Sequence, residues 1–177
     1  PAFLEMLQIP YTGSDPLTLG LTLDKALARR VVASEVPVPR SVLVQHKEDL
    51  AALETLRFPV IVKPNDEGSS KGIRENPIAD DAAAARARCE WLSARYGCPS
   101  LVEEFLNGAE VTVGVVGNTP LERVLGLMEI QPTDGDARFV YSLEVKRDWR
   151  RRVRYHVPPR LDHATRARIE RLALRVF

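Results

Sequence analysis

Between Ser100 and Ile130 three strand patterns follow one another with no helix between them, and this succession most constrains the fold. "SLVEEF", "EVTVGVV" with Val111, Val113 and Val115 alternating, and "LERVLGLMEI" all have the period of two and the β-branched content of strands. They lean toward an antiparallel sheet. Upstream, helix and strand alternate. Residues 17–34 read as one helix with Leu23, Leu27, Val31 and Ser34 on its core stripe; "VPVPR" breaks it, and "SVLV" is a short strand. A helix over about 46–56 is indicated by Leu50, Leu53 and Leu56. "FPVIVK" is strand-like, and "SSKGIRE" could return antiparallel to it. Asp80 or Asp81 can cap a helix through Tyr96 that stops at Gly97, with Ala85, Cys89, Leu92 and Tyr96 buried. The class is α+β in two layers.

Charge and cysteine usage exclude several functions. With 25 Lys and Arg against 24 Asp and Glu in 177 residues, the net charge of +1 supplies no global field to gather nucleic acid or anionic lipid. The basic run "KRDWRRRVRYH" reads as a solvated surface, or as a strand near phosphates or acidic substrates. Cys89 and Cys98 have no Cys or His at ligand spacing, so they read as two buried thiols in a reducing cytoplasm. No apolar run approaches the roughly 18 residues of a membrane span. The expected location is cytoplasmic, with no membrane or nucleic-acid partner.

Both ends look cut. The chain starts at Pro1, and a helix capped by Asp162, with Ile169, Leu172, Ala173 and Val176 on one face, stops at Phe177. The expectation is a segment of a longer protein.

The loop in "VIVKPNDEGSSKGI" invites comparison with phosphate cradles, yet both familiar grammars require a helix directly after the loop. Pro77 comes too soon after Gly72 for "IRENP" to open one. A strand, a loop and a return strand remain: a flap in which Gly68 and Gly72 let backbone N–H groups approach an oxyanion while Ser69 and Ser70 add hydroxyls. Lys63 ends a strand apolar on both faces, where a charge is expensive unless an anion meets it. Without a ligand it reads as a strand-end lysine reaching solvent.

Three stretches in order, "IPYTGSDPLTLGLTLDKALARRVV", "FPVIVKPNDEGSSKGI" and "LVEEFLNGAEVTVGVVGN", resemble the D-alanine–D-alanine ligase family of ATP-grasp enzymes. The resemblance implies an ATP-grasp fold of two α+β subdomains with the nucleotide between them: a junction over 1–20, a central subdomain over 21–101, and the first part of a C-terminal subdomain over 102–177. It implies ATP and Mg²⁺ as cofactors. Lys25 and Lys63 match the family's two phosphate-binding lysines, and "EGSSKG", with Ser69 and Ser70, its loop over the triphosphate. Glu103 would accept from the adenine amino group, the backbone of Glu104 and Leu106 would face the ring edge, and Glu110 would bind the ribose hydroxyls.

The resemblance also implies the reaction, a ligation. ATP activates a substrate carboxylate as an acyl phosphate, and an amine then attacks to give the amide, a step of cell wall (peptidoglycan) precursor synthesis if the substrate is D-alanine. Amino acids are the implied small-molecule substrates, and a homodimer is compatible. The substrate loop keeps Tyr141, Glu144 and Lys146 in "VYSLEVKR" but carries Leu143 and Arg147 where the family has aromatics, and Lys71 stands where a small apolar residue is usual. A related amino acid or peptide ligase is therefore the first alternative; a non-catalytic ATP-binding module that lost the chemistry is the second. No catalytic residue is identified in this chain, and His46, His156 and His163 form no nucleophile arrangement. The metal ligands and the oxyanion arginine are expected beyond Phe177. "TDGD", with Asp134 and Asp136, reads as a turn rather than a metal site.

Overall fold

A computed structural model describes residues 1–68, 70, 72, 73 and 77–177. The chain divides into two compact units, one of residues 1–31 with 39–105 and one of 32–38 with 106–177.

The first unit opens with three helices, α1 (Ala2–Met6), α2 (Pro16–Leu23) and α3 (Lys25–Val32). Asp15 caps α2 by accepting the Thr18 N–H at 3.0 Å. The single helix expected over 17–34 is broken at Asp24, whose extended backbone ends α2 while its carboxylate accepts the Leu27 N–H at 2.9 Å and starts α3. A residue able to cap a new helix competes with continuing the old one. The expected core stripe is also inverted. Leu23, Leu27 and Val31 are exposed, and Ala26 is the buried residue of α3.

Strands β1 (Ser41–Val44), β2 (Val60–Pro64), β3 (Ile78–Ala79) and β4 (Ser100–Glu104) form an antiparallel sheet in the order β1-β4-β2-β3. The helix expected over 46–56 is a 3-10 helix, Lys47–Thr55, that still buries Leu50 and Leu53. A strand returning antiparallel to β2 is described at Ile78–Ala79; of the return expected over "SSKGIRE", Ser69, Lys71, Arg74 and Glu75 lie outside the described residues. Helix α4 (Ala82–Tyr96) has Asp81 as its cap and Gly97, in the left-handed conformation, as its stop. Ala85, Cys89 and Leu92 are buried as expected, whereas Tyr96 is exposed and stacks edge-on to Trp91. One sheet face, with Val60, Val62 and Val102, packs against these α4 residues and against Leu50, Leu53 and Leu56 to make the core.

The second unit holds β5 (Glu110–Val116), β6 (Arg123–Pro132) and β7 (Val153–His156) as an antiparallel sheet in that order, with helices α5 (Leu143–Arg147), α6 (Trp149–Arg152) and α7 (His163–Val176). Its core gathers Ile130, Val145 and Val153, with Met128, Phe139, Tyr141 and Tyr155 around them. Asp162 caps α7, accepting the Thr165 N–H at 2.9 Å, and α7 packs on β5 and β6. Arg175 of α7 pairs with Glu35 at 2.6 Å, holding the 32–38 segment. Among the described residues no helix is long and apolar enough to cross a membrane.

Candidate functional site

Alternation along β2 separates its side chains. Val60, Val62 and Pro64 are buried in the α4-side core, so Ile61 and Lys63 emerge on the other face. Register then sets the partners: Ile61 opposes Glu103 and Lys63 opposes Leu101, which places Lys63 and Glu103 on one face as diagonal neighbours. Lys63 Nζ donates to Glu103 Oε2 at 2.5 Å. The anion that meets this lysine within the chain is thus Glu103, a partner 40 residues away that no local pattern announces.

Glu103 is buried and holds a second cation. Arg29 of α3 reaches Oε1 at 2.8 Å, and the other end of its guanidinium donates to the Pro39 carbonyl. Sequence reading missed Arg29, although its position four residues after Lys25 puts both on one side of a helix. Two cations on one carboxylate satisfy a charge that would otherwise be costly to bury.

Lys25 also lies toward the sheet. Its Nζ donates to the carbonyls of Asn65 at 3.1 Å and Glu67 at 2.6 Å, where the chain leaves β2. Burial, and then the nearby Lys63 ammonium, push its pKa below the ordinary lysine value, while Asp66 and Glu67 pull the other way. Asn65, also missed, is the joint of this corner. It is buried, its Oδ1 accepts the Ala26 N–H at 2.9 Å, its carbonyl accepts the Lys25 N–H at 3.1 Å, and its side chain bonds Asp24.

The loop beyond Asn65 is described in part. Ser69 lies outside the described residues. Ser70 has a left-handed backbone, φ 60°, uncommon for a residue with a Cβ, and its carbonyl accepts the Ile73 N–H at 3.1 Å. Gly72 is required twice over: φ is +75°, and a Cβ would fall 2.4 Å from Pro64 Cγ. Gly68 has neither constraint.

Glu104 points to the opposite face from Glu103 and serves the fold. Its Oε1 accepts the Arg57 N–H at 3.0 Å, its Oε2 pairs with the Arg57 guanidinium at 3.1 Å, and its own N–H is donated to the Arg40 carbonyl. The Arg57 amide, then its guanidinium, hold the Glu104 pKa below the usual carboxylate value.

In the second unit the expected ribose and substrate-loop residues cluster. Lys146 Nζ stands 5.1 Å from the centre of the Tyr141 ring, and the Tyr141 hydroxyl hydrogen-bonds the Tyr155 hydroxyl at 2.6 Å. Burial, then that bond, push the Tyr141 pKa up to about 12. Glu110 keeps an exposed surface, yet neighbouring chain crowds its carboxylate and raises its pKa, with Lys146 pulling it back. Glu144 stands in the first turn of α5, and Leu106 is exposed just ahead of β5. The aromatic Tyr155, stacked on Trp149 at 5.6 Å, was hidden in the basic run.

Asp134 and Asp136 form the expected turn, each accepting a backbone N–H two residues on, from Asp136 at 3.2 Å and Arg138 at 2.8 Å. Among the described residues no three His, Cys, Asp or Glu side chains gather to hold a metal ion. The two cysteines are unbridged, Cys89 buried and Cys98 half-buried.

Comparison with known proteins places this arrangement. The family described as "D-ala D-ala ligase C-terminus" matches residues 32–177. A D-alanine–D-alanine ligase of Polaromonas naphthalenivorans is 34% identical over 180 residues, covering 98% of this chain and 53% of that protein. The uncharacterised protein y4sG of Sinorhizobium fredii is 35% identical over 138 residues, 77% of this chain and 39% of its own length. Among solved structures, the VanG D-Ala:D-Ser ligase of Enterococcus faecalis superimposes with a TM-score of 0.76 at 26% identity, covering 99% of this chain and 50% of that one. The chain spans about half the length of these relatives. The α+β architecture is that of the ATP-grasp D-alanine ligases. The chain belongs to the D-alanine–D-alanine ligase family.

Proposed function

We infer that this chain is the nucleotide-handling part of an ATP-dependent carboxylate–amine ligase of the D-alanine–D-alanine type, acting in the cytoplasm on small amino acids. The observation that carries this is the corner at the end of β2, where Lys63 emerges beside Glu103 and the Lys25 ammonium closes on the Asn65 and Glu67 carbonyls just beyond the strand. Glu103 offsets one of these two partly buried ammonium groups and carbonyls hold the other, so a further anion gains by meeting both. A triphosphate is such an anion.

When bound, ATP supplies the phosphoryl group that activates the substrate carboxylate for attack by an amine. Lys25 and Lys63 are assigned its phosphates, and the Ser69–Ser70 segment adds donors from the loop. Glu103 is assigned the adenine amino group, the backbone of Glu104 and Leu106 the ring edge, and Glu110 the ribose hydroxyls, since a carboxylate accepts two hydroxyl hydrogens at once. With ATP bound, Lys63 would exchange Glu103 for phosphate. Preorganised cations of this kind stabilise charge as it moves onto the transferring group without reorganising at that moment.

Tyr141, Glu144 and Lys146 are assigned to the amino acid side. Leu143 and Arg147, in place of aromatic residues, favour a second amino acid other than D-alanine; the VanG relative is itself named for D-Ser.

The test is calorimetric titration of the 177-residue chain with ATP. Lys63→Ala and Glu110→Ala should each weaken binding about tenfold, roughly 1.4 kcal/mol. Wild-type affinity in both variants would refute the assignment.

A further inference from the structure

We propose that Arg29 is a positioning residue for base recognition: by gripping Glu103 Oε1 it fixes that carboxylate as an acceptor facing the base, and so sets a preference for a base bearing an amino group over one bearing a carbonyl at the same position. The inference rests on the nucleotide role proposed for Glu103.

The geometry divides the carboxylate between two cations with different prospects. Oε2 is held by Lys63, the side chain assigned to phosphate, and Oε1 by Arg29 at 2.8 Å. Arg29 is mostly buried, and its fork is fixed at the far side by the Pro39 carbonyl, so its guanidinium is not free to follow a ligand. Once Lys63 turns to an anion, Arg29 is the cation that remains against a buried carboxylate. A carboxylate accepts hydrogen bonds and has none to donate. Held in place, Glu103 takes an N–H from an amino group and repels a carbonyl oxygen. With Arg29 removed and Lys63 occupied, neither cation fixes the Glu103 carboxylate, which can turn away from the base. Both the hydrogen bond to an amino group and the repulsion of a carbonyl then weaken. Arg29 would thus act on the base without touching it.

The experiment is calorimetric titration of the 177-residue chain with ATP and with inosine triphosphate, which carries a carbonyl where adenine carries its amino group. Wild type should prefer ATP. Arg29→Met should cut the ATP-to-ITP preference about tenfold with ITP binding held or improved, and Arg29→Lys, which keeps the charge but loses the fork, should fall between. A purely structural arginine would move both affinities together; equal weakening, or no change, overturns the proposal. Glu103→Gln separates the two levels. If it abolishes the preference while Arg29→Met does not, the reading of Glu103 stands and the Arg29 inference falls. If it leaves the preference intact, or if wild type binds neither nucleotide, the nucleotide reading fails and takes the inference with it. Circular dichroism melts verify folding, and Arg29→Lys carries the comparison should Arg29→Met not fold.

Discussion

Lys63 and Glu103 lie diagonally across adjacent strands, and the lysine donates to the carboxylate at 2.5 Å while Arg29 holds the other oxygen. Glu103→Gln therefore leaves two mostly buried cations facing a neutral amide. Removing one partner of a buried pair costs about 3–5 kcal/mol, and the partial exposure of Lys63 places this case near about 3. Thermal melting should show the loss, and tripolyphosphate should recover more stability in Glu103→Gln than in wild type. Equal stabilisation of both would show that the cations do not share the anion.

Asn65→Ala should be felt in two places. It strips the acceptor from the Ala26 N–H and the partner from Asp24 in a buried corner, a loss of about 1–3 kcal/mol. It also loosens the carbonyls that hold the Lys25 ammonium. Urea unfolding should report the first effect, and weaker binding of ATP in the still-folded variant the second.

Gly72→Ala meets both a left-handed backbone and the Pro64 ring. The expected cost exceeds about 1 kcal/mol, since alanine can neither adopt the conformation cheaply nor fit. Gly68→Ala, with open space around it, should be close to neutral in the same denaturation assay.

Acid stability should track Glu104 and Glu129. The pKa of Glu129 is held down by the Arg160 guanidinium and then its amide, as that of Glu104 is by Arg57. Their folded pKa values lie below the unfolded ones, so their contribution is fully present above the ordinary glutamate range and is lost as pH falls through the depressed values. Denaturation midpoints should be flat near pH 6 and drop below about pH 4.5. Glu129→Gln should flatten that drop. Glu110 has the opposite sign: its raised pKa means that its charged form costs stability, so Glu110→Gln should not lower the midpoint at neutral pH.

Local features were the legible ones in the sequence. Asp81, Asp162 and Gly97 terminate their helices as expected because a cap acts over three or four residues, within reach of its own segment. The strands at Ser41–Val44, Val60–Pro64 and Glu110–Val116 arise from side-chain alternation and β-branched content. The candidate site residues Lys25, Lys63, Glu103 and Glu110 were singled out through resemblance to a family, not through any property visible in one residue.

Tertiary structure decided the rest. Periodicity defines two faces of a helix without saying which meets the sheet, and α3 buries Ala26 and turns Lys25 inward while Leu27 and Val31 stay exposed. The pairs that join the candidate site, Lys63 with Glu103, Arg29 with Glu103 and Asn65 with Ala26, link residues far apart in the chain. Composition and spacing supply the charges. Only the register of β2 against β4 brings a lysine and a glutamate to one face, because a shift of one residue would send either to the other side.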